Sequence, residues 1–133
     1  MKTEIAKKWI KALRSGKYKQ GQSLLKQYDA KNQPRHCCLG VLCELYNETM
    51  KKNHKKILTV NKTSNNGFCP ENGYVTFSGE GESLPPVVKK WAGMKSNNGE
   101  IDYRFYGSLA DMNDSGKTFK TISNTIEKNI ESL

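Results

Sequence analysis

Residues 111–119, Asp-Met-Asn-Asp-Ser-Gly-Lys-Thr-Phe, contain Ser-Gly-Lys-Thr, the tail of a phosphate-binding P-loop. The full loop, G-x-x-x-x-G-K-[ST], lies between a strand and a helix, where backbone N–H groups and the lysine wrap a diphosphate. With Gly116, Lys117 and Thr118 as the tail, the first glycine belongs at position 111, which is Asp111. Gly107 is nine positions before Gly116, too far for one such loop. Leu109, Ala110 and Met112 do not read as a buried strand. The stretch is therefore expected to be a turn between two helices, with Gly116 left-handed and Thr118 capping the helix that follows. A helix N-terminus with Lys117 beside it can still hold one phosphate.

Other reactive side chains are scattered. The cysteines are Cys37, Cys38, Cys43 and Cys69, with no C-x-x-C pair. A zinc set of His36, Cys38, Cys43 and Cys69 is conceivable, but its spacing fits no standard zinc module, so buried thiols and no metal are expected. His36 beside Cys37 invites a nucleophile and base reading, yet neighbours in sequence rarely have the geometry such a dyad needs. Asp111 with Asp114, and Glu80 with Glu82, read as solvated charges or helix ends. His54 lies among lysines and reads as a surface residue. No catalytic residue is assigned, and the protein is read as a non-enzyme without a cofactor.

The basic residues are more informative. The net charge is +9, and residues 1–66 hold 15 Lys or Arg against 4 Asp or Glu. Residues 67–133 hold 7 against 9. Such asymmetry points to an anionic partner for one face. Lys7, Lys8, Lys11 and Arg14 fall on the polar side of the first helix. Lys17, Tyr18 and Lys19 follow, and Arg35 and His36 are expected to return beside them across a hairpin. Cations around an aromatic ring suit phosphate contact and base stacking. The candidate ligand-binding residues are Arg14, Lys17, Tyr18, Arg35, His36, Arg104 and Lys117.

The elements that must position these residues read as an α+β fold, with four to five helices packed around a small antiparallel sheet. A chain of 133 residues is one domain, 1–133, with a basic flexible loop near 51–67. No run of about 18 apolar residues is present, and the opening Met-Lys-Thr-Glu-Ile-Ala-Lys-Lys lacks the apolar core of a signal peptide. The chain is expected in the cytoplasm, which leaves the glycosylation triplets at Asn47, Asn61 and Asn113 idle.

Thr3 is the expected N-cap of helix one, with Ile5, Trp9, Ile10 and Leu13 on its apolar face and Gly16 at its end. A first strand is expected over Leu24 or Leu25 to Asp29, before a turn at Asn32. Cys38, Leu39, Leu42, Cys43, Leu45 and Tyr46 mark the buried face of a central helix. Gly40 within it costs about 1 kcal/mol relative to alanine, which calls for close packing in return. Ile57, Leu58 and Val60 mark a short strand, and Asn72-Gly73 precedes another over Tyr74 to Ser78. Pro86 opens a short helix with Val87, Val88 and Trp91 on one side, ended by Gly93. Asn98-Gly99 precedes a strand at Ile101 to Phe105. Ser108 caps a short helix through Met112, and Phe119, Ile122, Ile126 and Ile130 line the last one.

Four stretches in this order, ALRSGKYKQG, CCLGVLCELY, LPPVVKKWAGM and SLADMNDSGKTFKTISNTIE, resemble a family of small proteins encoded as orphan reading frames in tailed bacteriophages and prophages. The resemblance covers most of the chain outside the Lys- and Asn-rich insert near 51–67. It implies a phage accessory protein made in the cytoplasm of the infected bacterial host, and it brings no site residues with it. Small phage proteins of this kind commonly act against host systems. By that analogy the expected function is binding of an anionic nucleotide-type ligand without turnover, sequestering an immune signalling nucleotide. The alternatives are a host-protein-binding inhibitor and a nucleic-acid-binding protein. A homo-oligomer is expected if subunits share the site.

Overall fold

The computed structural model describes residues 1–64, 70, 72–101 and 107–133. The elements in chain order are α1 (Thr3–Arg14), β1 (Lys26–Tyr28), β2 (Pro34–His36), α2 (Cys38–Lys52), β3 (Val60–Thr63), β4 (Tyr74–Phe77), α3 (Pro86–Ala92), α4 (Leu109–Asp114) and α5 (Phe119–Lys128). The four strands form one antiparallel sheet in the order β2-β1-β4-β3. The fold is α+β, as the sequence predicts. Among the described residues no helix is long and apolar enough to cross a membrane.

The core forms where apolar periodicity directs it. Ile5, Ala6, Trp9, Ile10 and Leu13 recur at helical spacing and bury one face of α1. Trp9 is fully enclosed, and its indole N–H donates to the Cys38 carbonyl at 2.9 Å. Residues Cys38 to Cys43 are all buried, so the first half of α2 is the centre of the core. Gly40 is what lets α2 come so close to the chain before β1. A Cβ there would land on the Leu25 carbonyl oxygen and 2.6 Å from its carbonyl carbon. On β4, Val75 and Phe77 face the core while Tyr74 and Thr76 face away, the period-2 pattern of a half-covered strand.

The caps fall where expected in the last third of the chain. Ser108 Oγ accepts from the Asp111 N–H at 3.0 Å, and Thr118 Oγ1 accepts from the Thr121 N–H at 3.3 Å. Gly116 has φ 92° between α4 and α5, the left-handed turn read from its sequence. Arg14 bolts α1 to α5 by donating to Ser123 Oγ, Asn124 Oδ1 and Glu127 Oε2 at 3.0, 2.8 and 3.1 Å.

Several expectations are corrected. Thr3 is the first residue of α1, and the N-cap position belongs to Lys2, whose N–H is held by the Ala92 carbonyl at 2.8 Å. Docking against the end of α3 thus sets this terminus. The first strand shortens to Lys26–Tyr28 because Leu25 turns its N–H to the Gly81 carbonyl instead of a strand partner. Val87 is 45 % exposed, since Val88 and Ala92, one turn apart, take the buried face of α3. Leu45 is half-buried, and Ile130 lies beyond α5, which ends at Lys128. The strand expected at Ile101 to Phe105 lies, apart from Ile101, outside the described residues.

Candidate functional site

The site begins where α1 stops. Ser15 Oγ donates to the Ala12 carbonyl at 2.6 Å and accepts from the Lys17 N–H at 3.2 Å. Gly16, at φ 74°, turns the chain back. The next residues run beside β2: the His36 N–H reaches the Lys19 carbonyl at 2.9 Å, and the Gly21 N–H reaches the His36 carbonyl at 2.8 Å. This pairing sets the Tyr18 ring edge-on to the His36 imidazole, with centroids 5.1 Å apart.

Helix α2 supplies the opposite wall. Glu44 and Glu48 are one turn apart and share a face. Glu44 Oε1 accepts from His36 Nε2 at 2.9 Å and from Lys26 Nζ at 3.0 Å. Burial pushes the Glu44 carboxyl up, but the hydrogen bonds and charges of His36 and Lys26 outweigh that and hold it below its ordinary value. Glu48 Oε1 accepts from Lys17 Nζ at 3.0 Å and from the Tyr18 hydroxyl at 3.3 Å. The Glu48 hydrogen bond raises Lys17 above its ordinary value. Burial, then the Glu48 charge, raises the Tyr18 hydroxyl.

Two open grooves meet at Lys17, Tyr18 and Glu48. One, of about 490 Å³, runs between α1 and α2, with Ala12 and Leu45 in its lining and Lys8, Lys11 and Lys52 around it. Among the described residues none of these three lysines has an ion pair or side-chain hydrogen bond. The other groove, of about 340 Å³, is lined by Tyr18, Lys26, His36, Glu44 and the Pro34 end of β2. A larger groove of about 680 Å³ lies against β4 and residues 79–83. Its described lining carries Glu80 and Glu82 and no cation, so its charge is negative.

Of the residues singled out in the sequence, Lys17, Tyr18 and His36 come together here. Arg35 does not line this cleft: its Nε donates to Asp29 Oδ2 at 3.0 Å. The Gln33 N–H, then Arg35, hold the Asp29 carboxyl below its ordinary value. Arg14 is engaged by α5 and lines a separate shallow groove with Lys7 and Glu127, which shares Lys11 and Ser15 with the α1–α2 groove. Lys117 is half-buried in the α4–α5 turn, where its carbonyl accepts from Gln20 Nε2 at 2.7 Å. Arg104 lies outside the described residues, as does Cys69. Among the described residues no cluster of three His, Cys, Asp or Glu side chains could hold a metal. Cys37, Cys38 and Cys43 are buried free thiols.

Lys26, Glu44 and Glu48 escaped the sequence reading. The i, i+4 spacing of the two glutamates on a helix was the available signal. Their convergence on Tyr18 depends on the turn at Gly16 and the register of β2, which no local pattern announces.

No curated protein and no solved structure matches the chain. A family profile does match, over residues 1–130, and the chain belongs to that family, described as a domain of unknown function, DUF8296.

Proposed function

We propose that this is a phage accessory protein that binds an anionic nucleotide-type ligand without turning it over, withdrawing a signalling nucleotide of bacterial immunity from solution. The observation that carries the binding is the groove between α1 and α2. Lys8, Lys11 and Lys52 converge there without an internal anion partner, beside the half-buried Tyr18 ring. Lysines on helix faces act as mobile point charges and accept phosphates of varied geometry. An aromatic side chain at the end of such a groove offers a base a stacking surface. His36 Nε2 is held by Glu44 and the ring is 4 % exposed, which suits holding a ligand more than transferring protons to it. The phage setting and the immune role rest on the order of the four sequence motifs.

The test is direct. The purified protein is mixed with extract from bacteria whose nucleotide-signalling defences have been triggered, washed and denatured, and the released small molecules are identified by mass spectrometry. An intact nucleotide is expected, retained by Lys120→Glu and lost from Lys8→Glu/Lys52→Glu. An empty protein with the signal undiminished in the extract would sink the reading. So would binding only to polynucleotides, with length-dependent affinity and a steep salt dependence.

A further inference from the structure

The sheet treats its two edges differently. At β2 the segment after α1 covers the edge: the His36 N–H reaches the Lys19 carbonyl at 2.9 Å, and the Gly21 N–H reaches the His36 carbonyl at 2.8 Å. At the other end of the strand order stands β3, which pairs with β4 alone. Phe77 gives its backbone N–H and C=O to Glu80, so its pairing with Val60 is a non-hydrogen-bonded one. The N–H and C=O groups of Val60, and of Lys62 two residues on, therefore point away from β4. Among the described residues these four groups have no partner.

Open edges are usually guarded by a bulge or by charged side chains. The β3–β4 register runs without a bulge from Val60 to Thr63. Lys62 is the one charged residue on β3, and its ammonium lies 4.1 Å from the Tyr28 ring centroid. It therefore leans back across β4 toward β1 and leaves the edge open. Apolar surface gathers beside that edge: Ile57 and Val60 are 40 % and 47 % exposed. The approach to β3 is strongly basic. No acidic residue occurs between Glu48 and Glu71. Lys55 and Lys56 are exposed, and among the described residues neither has an ion pair or side-chain hydrogen bond.

We infer that β3 is a docking edge for an extended acidic segment of another protein, which adds to the sheet as a further strand. Backbone bonds to Val60 and Lys62 would hold such a segment, as in other cases of strand addition. Its apolar side chains would cover Val60 and Ile57, and its carboxylates would meet Lys55 and Lys56. A second copy of this chain is a poor occupant, because pairing β3 with itself gathers the lysines of both chains on one seam. A nucleic acid would satisfy the lysines but has no use for backbone groups at strand spacing. The surface is separate from the α1–α2 groove, so the inference stands or falls independently of the nucleotide reading.

The experiment is a heteronuclear NMR titration of the isotope-labelled intact protein with the synthetic peptide GTEVEVETG. Shifts of the Val60 and Lys62 amide signals are expected. Two control peptides separate the contributions: one with lysine in place of every glutamate, and one N-methylated at every glutamate and valine, which keeps the charge but cannot donate backbone bonds. Each is expected to bind at least about tenfold more weakly than the parent peptide. Val60→Pro removes an outward N–H without touching the bonds to β4, a position where an edge strand tolerates proline. It is expected to keep the folded spectrum and lose the peptide. Equal binding of the N-methylated and parent peptides would overturn the inference, as would oligothymidylate shifting the same amides and displacing the peptide. No shift at Val60 and Lys62 with peptide at about 1 mM would overturn it too.

Discussion

Tyr18 stands edge-on to His36, 5.1 Å between ring centroids, while its hydroxyl donates to Glu48 Oε1 at 3.3 Å. One side chain from the loop after α1 therefore touches both the β2 edge and α2, and it forms part of both grooves. If the cleft holds a base, Tyr18 is its stacking surface. Tyr18→Ala is expected to weaken nucleotide binding about 10- to 100-fold, in line with about 1–3 kcal/mol for stacking on an aromatic ring. Tyr18→Phe keeps the ring and should stay within about threefold of the parent. Titration calorimetry on both variants checks this, and equal losses would assign the effect to the hydroxyl.

The Glu44 carboxyl gives stability a defined pH dependence. Burial alone would raise it, but His36 and Lys26 hold it below its ordinary value. A carboxyl depressed in the folded state stabilises the fold above its unfolded pKa, about 4.3, and that contribution is lost as pH falls through the lower folded value. The thermal midpoint of the parent should therefore fall more steeply than that of Glu44→Gln as pH drops below about 4.3. Parallel curves in differential scanning calorimetry would contradict this account of the Lys26–Glu44–His36 contacts.

Gly40 predicts a severe steric effect. A Cβ at this position meets the carbonyl group of Leu25, which is backbone and cannot swing aside as a side chain can. Gly40→Ala is expected to cost about 3 kcal/mol, the upper end of overpacking effects, despite alanine's better helix propensity. Urea unfolding measures it. A stability gain would mean that the helix and the hairpin are not so closely apposed.

The three described cysteines should be chemically quiet. Burial pushes the Cys37 thiol up to about 11 and raises Cys38 and Cys43 well above their ordinary value. The thiolate is the reactive species. In a Cys69→Ser background at pH 8, a colorimetric disulfide reagent should titrate under one thiol per chain in native buffer and three after denaturation. Rapid native reaction of any of the three would show that this part of α2 is open.

The helices were legible because each bears its own signals. Ile5, Trp9, Ile10 and Leu13 mark the face of α1, and the left-handed glycines end or separate helices where their positions indicate. Gly40 was legible as a point of close approach, though its partner Leu25 was not. The cleft was half legible. Lys17, Tyr18 and His36 are neighbours in the fold, and the sequence marks them because an aromatic residue among cations stands out. The same logic points to Arg14 and Arg35, but each is engaged by a carboxylate distant in sequence or across a turn, Glu127 and Asp29. Asn113 was visible only as an idle glycosylation triplet. In the fold it is fully buried: its Oδ1 accepts from the Cys38 N–H and Gln20 Nε2, and its Nδ2 donates to the Gly21 carbonyl. A polar residue that serves partners 75 to 93 positions away leaves no mark in its own neighbourhood.

That reach bears on how the chain acquires its structure during synthesis. The first turn of α2 and the strap at Gln20 and Gly21 stay incomplete until residue 113 has been made, and α1 waits longer still for Ser123 to Glu127. Contacts of such sequence separation form late, since the ends of long loops must first be brought together. A nascent chain halted after β4 would therefore carry both walls of the cleft without the braces from α4 and α5, and ligand binding by ribosome-tethered chains should begin only once α5 has cleared the exit tunnel.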